Sequence, residues 1–276
     1  MKKILITLMI TAFCFGQLDL KQDVPFNSDI VYGKLPNGLT YYILKNDKPA
    51  DRAELRLAVN IGSVDEEDHE QGIAHFLEHM CFNGTEKYPR NTLVDYLESL
   101  GMAFGPDLNA YTSFDRTVYM LQIPTNDHDK FISGIEIMSE WAGYVSLEGE
   151  EIDKERGVVK EEWRMRRGAS ARISDEQFPV LFEGSKYANR LPIGKMDVID
   201  KMTHDDVRGY YNRWYRPDLM AFIAVGDFDV VETENMIKAQ FGRIPAPENP
   251  VIPQVYDVPE HEESRVVIST DPEAQR

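Results

Sequence analysis

Five consecutive residues carry the most pointed chemistry in the chain: His75-Phe76-Leu77-Glu78-His79. The flanking runs, 70–74 and 80–82, contain no proline and suit a helix. Residues four apart on a helix stand one above the other, so both imidazoles point the same way, and Glu78 shares their face. Two imidazoles beside a carboxylate make an incomplete zinc site, which needs one more protein ligand and leaves a position for water. A packing role fits poorly. Histidine is scarce, six in the chain, and several ionisable groups on one buried helix face are costly without a metal or partners. A purely structural zinc site would ask for four protein ligands with Cys prominent. Cys81, two residues past His79, points away from it on a helix.

The order H-x-x-E-H inverts the commoner H-E-x-x-H and marks a separate class of zinc hydrolase site. Its missing ligand must come from elsewhere. A charge-dense helix is expected over about 148–167, where most side chains form a solvated face. Glu155 and Glu162 are two helical turns apart and share one face. Val158 and Val159 between them belong to the apolar side. One of these two carboxylates is the natural third ligand.

The elements that must position these groups follow from periodicity. Residues 31–35 and 39–44, around Pro36-Asn37-Gly38, predict a hairpin. Residues 53–61 alternate, with Leu55, Leu57, Val59 and Ile61 on one face, and predict a half-buried strand. Ile73, Phe76, Leu77 and Met80 form the apolar side of the histidine helix, and Gly84 is placed to end it. Asn91 is the expected N-cap of a helix over 92–100, whose stripe is Leu93, Tyr96, Leu97 and Leu100. Residues 109–112 and 117–123 predict paired strands, and 127–144 a long helix. Beyond the charged helix, 178–184 reads as helix or loop and 191–194 as a turn. Thr203 caps a helix over 207–215, followed by a buried strand over 219–225 and a helix over 231–241. Pro245, Pro247, Pro250 and Pro253 mark a linker, and 265–269 is strand-like.

Composition bounds the partners. A length of 276 residues and a 42% apolar content permit one large domain or two small ones, and exclude a disordered chain. The net charge of −17 repels phosphate backbones and anionic lipid, which argues against nucleic-acid and membrane-surface partners. At the N-terminus, Lys2-Lys3 precede an apolar run over 4–15 that is short for a membrane span. Gly16-Gln17 then offers a cleavage point, so 1–16 reads as a signal peptide of an exported protein, periplasmic or extracellular. Bulky Phe13 before Cys14 does not suit a lipid anchor. Cleavage leaves Cys81 alone, and one cysteine forms no internal disulfide. No other stretch is long and apolar enough to be transmembrane.

The segments HFLEHMCFNGTEKYP, NAYTSFDRTVY, IDKERGVVKEEWR and YYNRWYRPDLMAFIAVGD, in this order, resemble the pitrilysin–insulinase family of zinc peptidases, which includes the mitochondrial processing peptidases. The match runs over about 31–241, close to one complete N-terminal catalytic domain. The resemblance implies an α+β fold, a mixed, largely antiparallel sheet packed by helices. It implies His75 and His79 as zinc ligands and Glu78 as general base. The family's pattern E-R-x-V-x-x-x-E falls on 155–162, which makes Glu162 the third ligand and Glu155 a supporting carboxylate behind it. Glu161 is the residue that a one-position shift of register would substitute. Asn109 and Ala110 match the edge segment to which substrate peptide adds as a strand.

The resemblance implies the activity of an endopeptidase acting on peptides or small unfolded proteins, with one Zn2+ per domain. Three protein ligands leave a position for a water whose pKa the metal lowers, and Glu78 accepts its proton. The expected organisation is a signal peptide over 1–16, a catalytic domain over 27–244, and a linker with the start of a truncated second domain over 245–276. Family members usually carry a second homologous domain, in the same chain or on a partner subunit, that closes over the substrate. The alternative is a non-catalytic binding or assembly subunit of the same fold. Such members typically lose the H-x-x-E-H residues, all of which are present here.

Overall fold

The computed structural model describes residues 25–90, 92–99, 101–103 and 105–274. The alternation of residues 53–61 appears as β3 (Arg52–Val59), with Ala53, Leu55, Leu57 and Val59 buried. The hairpin forms as β1 (Val31–Lys34) and β2 (Thr40–Lys45), and the later pair as β4 (Leu108–Thr112) and β5 (Thr117–Pro124). β6 (Met220–Gly226) completes a six-stranded sheet in the order β1-β2-β6-β3-β5-β4. Every pairing is antiparallel except β2 with β6. The architecture is the expected α+β arrangement, a mixed and largely antiparallel sheet packed by helices.

Register lines up one apolar face, since Leu55 pairs with Leu121 and Ala224, and Leu57 with Tyr119 and Phe222. Helices cover this face. The long helix α3 (His128–Gly143) lies so close that a Cβ on its Gly134 would stand 2.6 Å from Ile123. Phe241 of α8 (Val230–Phe241) packs on Phe222, with ring centroids 4.8 Å apart. The histidine helix α1 (Ile73–Asn83) reaches the β4–β5 end, where Phe82 meets Tyr119. Phe76, Leu77 and Met80 are fully buried; burying one such side chain is worth about 1.5–3 kcal/mol. Cys81 is buried on this inner side, its Sγ 3.1 Å from the Tyr119 hydroxyl.

α2 (Thr92–Ser99) matches its predicted stripe at Leu93 and Leu97, while Asn91 and Leu100 lie outside the described residues. The charged helix is α4 (Gly149–Met165), and Thr203 caps α7 (His204–Trp214) through a reciprocal box with Asp206. Two helices escape the sequence reading. α5 (Ala169–Leu181) starts well before 178, carries Pro179 and buries no residue, so it sends no apolar stripe into the core. α6 (Met196–Lys201) is too short to show any. The strand-like run 265–269 is a correction in the other direction. It forms no strand, because no other strand among the described residues runs beside it.

Candidate metal centre

α1 begins at Gly72, whose φ of 106° is a conformation that side chains resist. The helix is capped from a distance. Fully buried Glu66 accepts hydrogen bonds from the Gly72 and Ala74 amides at 3.0 and 2.9 Å, which satisfies two donors at the helix start. Glu70, also buried, holds Arg213 of α7 through both carboxylate oxygens at 2.6 and 2.8 Å. One turn further along α1, the two imidazoles face α4.

Three donor atoms converge there. The Nε2 atoms of His75 and His79 are 3.3 Å apart, and Glu162 Oε2 lies 3.5 Å from the first and 3.1 Å from the second. Ligands at 2.0–2.2 Å around a tetrahedral zinc stand roughly 3.3–3.6 Å from one another. Glu162 Oε2 is buried and faces the two imidazole Nε2 atoms, so a carboxylate charge stands where a cation would offset the cost of its burial. Among the described residues, His75, His79 and Glu162 form the one cluster of ligating side chains with this convergence. The donor set fits zinc. Glu161 turns outward to Arg164 at 2.6 Å instead.

The groups behind the donors fix their orientation. Glu155 Oε1 takes a hydrogen bond from His79 Nδ1 at 2.8 Å, which turns the ring so that Nε2 faces Glu162 and His75. Asn83 donates to the other Glu155 oxygen at 2.7 Å, and Arg166 pairs with Glu162 Oε1 at 2.6 Å. Glu78 stands on the same helix face, and its Oε2 accepts from the Thr112 hydroxyl at 2.5 Å.

Burial and the neighbouring His79 push His75 down to about 4, so it is a neutral imidazole, the form that serves as a ligand. Burial opposes a charge on His79 too, yet its bonds to Glu155 and Glu162 hold it up at about 9. The bond from His79 holds Glu162 down at about 2. This pattern marks a point that favours positive charge. Burial raises Glu78 above the usual carboxylate range against the Thr112 bond, which makes it a better proton acceptor.

The cleft over these groups is lined by α1, β4, α4 and the turn at Pro192 and Ile193. β4 is an edge strand, and Asn109 and Ala110 both line the cleft. Thr112, Asn83, Arg166 and Glu66 were missed in the sequence. Thr112 lies in a motif segment, and a hydroxyl on the edge strand was the only available signal. Nothing local marks Glu66 as the cap of a helix that starts several residues later.

The model of the insulinase family, peptidase family M16, matches residues 41–174, and that of the M16 inactive domain matches 201–276. The chain belongs to the pitrilysin–insulinase family. It is 41% identical over 235 residues to the probable zinc protease PqqL of Haemophilus influenzae, covering 85% of this chain and 25% of that protein. Identity to the zinc protease PQQL-like of Arabidopsis thaliana is 41% over 264 residues, 93% of this chain and 27% of the relative. The crystal structure of the first half of the periplasmic protease PqqL from Escherichia coli superposes with a TM-score of 0.82 at 39% identity, over 86% of this chain and 51% of that one. The chain thus spans about a quarter of the length of these curated relatives.

Proposed function

We propose that this chain is the catalytic N-terminal domain of a zinc endopeptidase that hydrolyses peptides or small unfolded proteins. The observation that carries the reading is the convergence of His75, His79 and Glu162 beside Glu78, under an open strand edge. His75, His79 and Glu162 would hold the metal, and zinc bound there would polarise the scissile carbonyl and acidify water. Glu78 accepts the proton of the attacking water and later delivers it to the leaving amine. Thr112 keeps one Glu78 oxygen engaged and so aims the other. Glu155, itself held by Asn83, keeps His79 in the tautomer that presents Nε2. Asn109 and Ala110 offer main-chain groups of β4, so the substrate lies extended across the cleft as an added strand.

The name of the Escherichia coli relative, a periplasmic protease, supports export, with residues 1–16 as signal peptide and a periplasmic or extracellular destination. Residues 1–16 lie outside the described residues. We place the catalytic domain at 27–244, and 245–276 as a linker with the start of a second homologous domain. That domain, in cis or on a partner subunit, closes the cleft. The M16 inactive-domain match begins at 201 and so takes in α7, β6 and α8, elements of the sheet described above.

Cleavage of a peptide library with and without chelator tests the reading, with Glu78→Gln as control. Chelator-sensitive cleavage that Glu78→Gln abolishes while zinc stays bound supports it. A zinc-loaded protein that binds peptides and cleaves none is the non-catalytic subunit instead.

A further inference from the structure

Towards the start of α1 the cleft is lined by apolar side chains, beside Arg166, that this chemistry does not use. α4 runs antiparallel to α1 across it. Glu155 meets His79 and Asn83 near the end of α1, while Glu162 meets His75 and His79 towards its start. Phe82 lines the cleft at the far end of α1. Pro192 and Ile193 line the other end, because their turn rests on Gly72.

The turn is tightly placed. A Cβ on Gly194 would fall 2.2 Å from the Gly72 Cα, and the Lys195 amide donates to the Gln71 carbonyl at 3.3 Å. Arg190, just upstream, is buried. Its Nε donates to the Glu66 carbonyl at 3.1 Å and its Nη2 pairs with Asp68 at 2.6 Å. Its own carbonyl accepts from the buried Ser63 hydroxyl at 2.5 Å. Since Glu66 caps α1, one network fixes both the start of the histidine helix and the turn beside it.

We propose that Pro192 and Ile193 form a subsite that selects an apolar substrate side chain on one side of the scissile bond, and that Arg190 is a positioning residue that sets this turn against α1 without touching substrate. The proposal rests on the peptidase reading above. The cleft floor is ionic, from His75, Glu78, His79 and Glu162, whereas the turn presents two half-buried apolar side chains. A substrate Leu or Phe loses apolar area to them, and a Gly or Lys gains nothing there.

Quenched-fluorescence peptides, varied one position at a time through Gly, Ala, Leu, Phe, Asp and Lys, test this on the zinc-loaded whole protein. We expect wild type to favour Leu over Gly at one position by roughly tenfold or more in kcat/KM, the discrimination an apolar pocket achieves. Ile193→Ala reduces that ratio to about threefold or less. Ile193→Glu raises Lys over Leu at that position and no other. Ile193→Val, a milder change, shifts the ratio in the direction of Ile193→Ala. Arg190→Lys flattens the same preference at that position and no other. In the Glu78→Gln background, fluorescence anisotropy gives the same peptide ranking from binding alone, and adding Ile193→Ala erases it. If the Ile193 variants cleave with unchanged preference at every position, the subsite is overturned while the peptidase reading stands. If zinc-loaded wild type cleaves none of the peptides, both fall.

Discussion

α1 and α5 are helices of similar length built in opposite ways. Eight of the eleven residues of α1 are buried, against none of the thirteen in α5. α1 is fixed by apolar packing below, by Glu66 at its start and by the Arg190 network beside it. α5 rests on a satellite group of half-buried rings, Phe114, Phe178, Phe182 and Tyr187, and on ion pairs from Arg172 to Asp271 and Glu273. The histidine-bearing helix is thus overdetermined, whereas few buried contacts hold α5. Side chains that converge on one point need fixed geometry, and the densely packed helix supplies it.

The comparison is sharpest in activity. Glu78→Gln on α1 should lower kcat by about two to four orders of magnitude, the usual worth of a positioned general base. Steady-state assays with metal analysis check that zinc content is unchanged. A comparable loss from Leu181→Ala, on the exposed side of α5, would break the contrast.

Stability should divide the helices next. Phe76→Ala empties a fully buried site and should cost about 3–5 kcal/mol in urea unfolding. Leu181→Ala should stay within about 0.5 kcal/mol.

The cap of α1 also gives a pH signature. Burial holds Glu66 up at about 8, against the Ala74 and Gly72 amides and Arg190 that pull it down. The folded state then binds this proton more tightly than the unfolded chain. Its contribution is complete below the ordinary glutamate range and is lost as pH rises through about 8. Glu66→Gln should therefore remove a fall in stability of at most about 1.4 kcal/mol per pH unit across that window. Parallel urea titrations at several pH values measure the difference; identical slopes in both proteins would refute it.

The smallest effect belongs to α5. Arg172→Ala should leave the urea midpoint nearly unchanged, since exposed ion pairs add little to stability. Amide exchange should quicken in α5 and stay unchanged in α1.

How much of this was legible depends on the range of the signal. The hairpin, β3, α3 and α8 appear where alternation or helical spacing put them. α1 was legible because its Phe76, Leu77 and Met80 repeat at helical spacing, and α5 was read only from 178 because its polar, proline-bearing stretch buries no residue. The strand-like run 265–269 has strand chemistry, but a strand also needs a neighbour to bond, which no local pattern records. At the site, the histidines and Glu78 are neighbours on one helix, and spacing alone puts them on one face.

By itself, then, the sequence determined which face of α1 carries the histidines, that Glu155 and Glu162 share a face of α4, and that Cys81 turns away. These are matters of helical geometry, repeated every few residues. Only the tertiary structure decided that the two faces meet, that Glu162 rather than Glu161 stands against the imidazoles, and that β4 is left at the sheet edge. It alone brought Thr112 to Glu78, Glu66 to the start of α1, and Arg190 to both Glu66 and the Pro192–Ile193 turn. Those contacts join residues far apart in sequence, or, for Glu66, skip across a loop. They exist because packing the sheet and helices brings these buried polar groups within reach of partners.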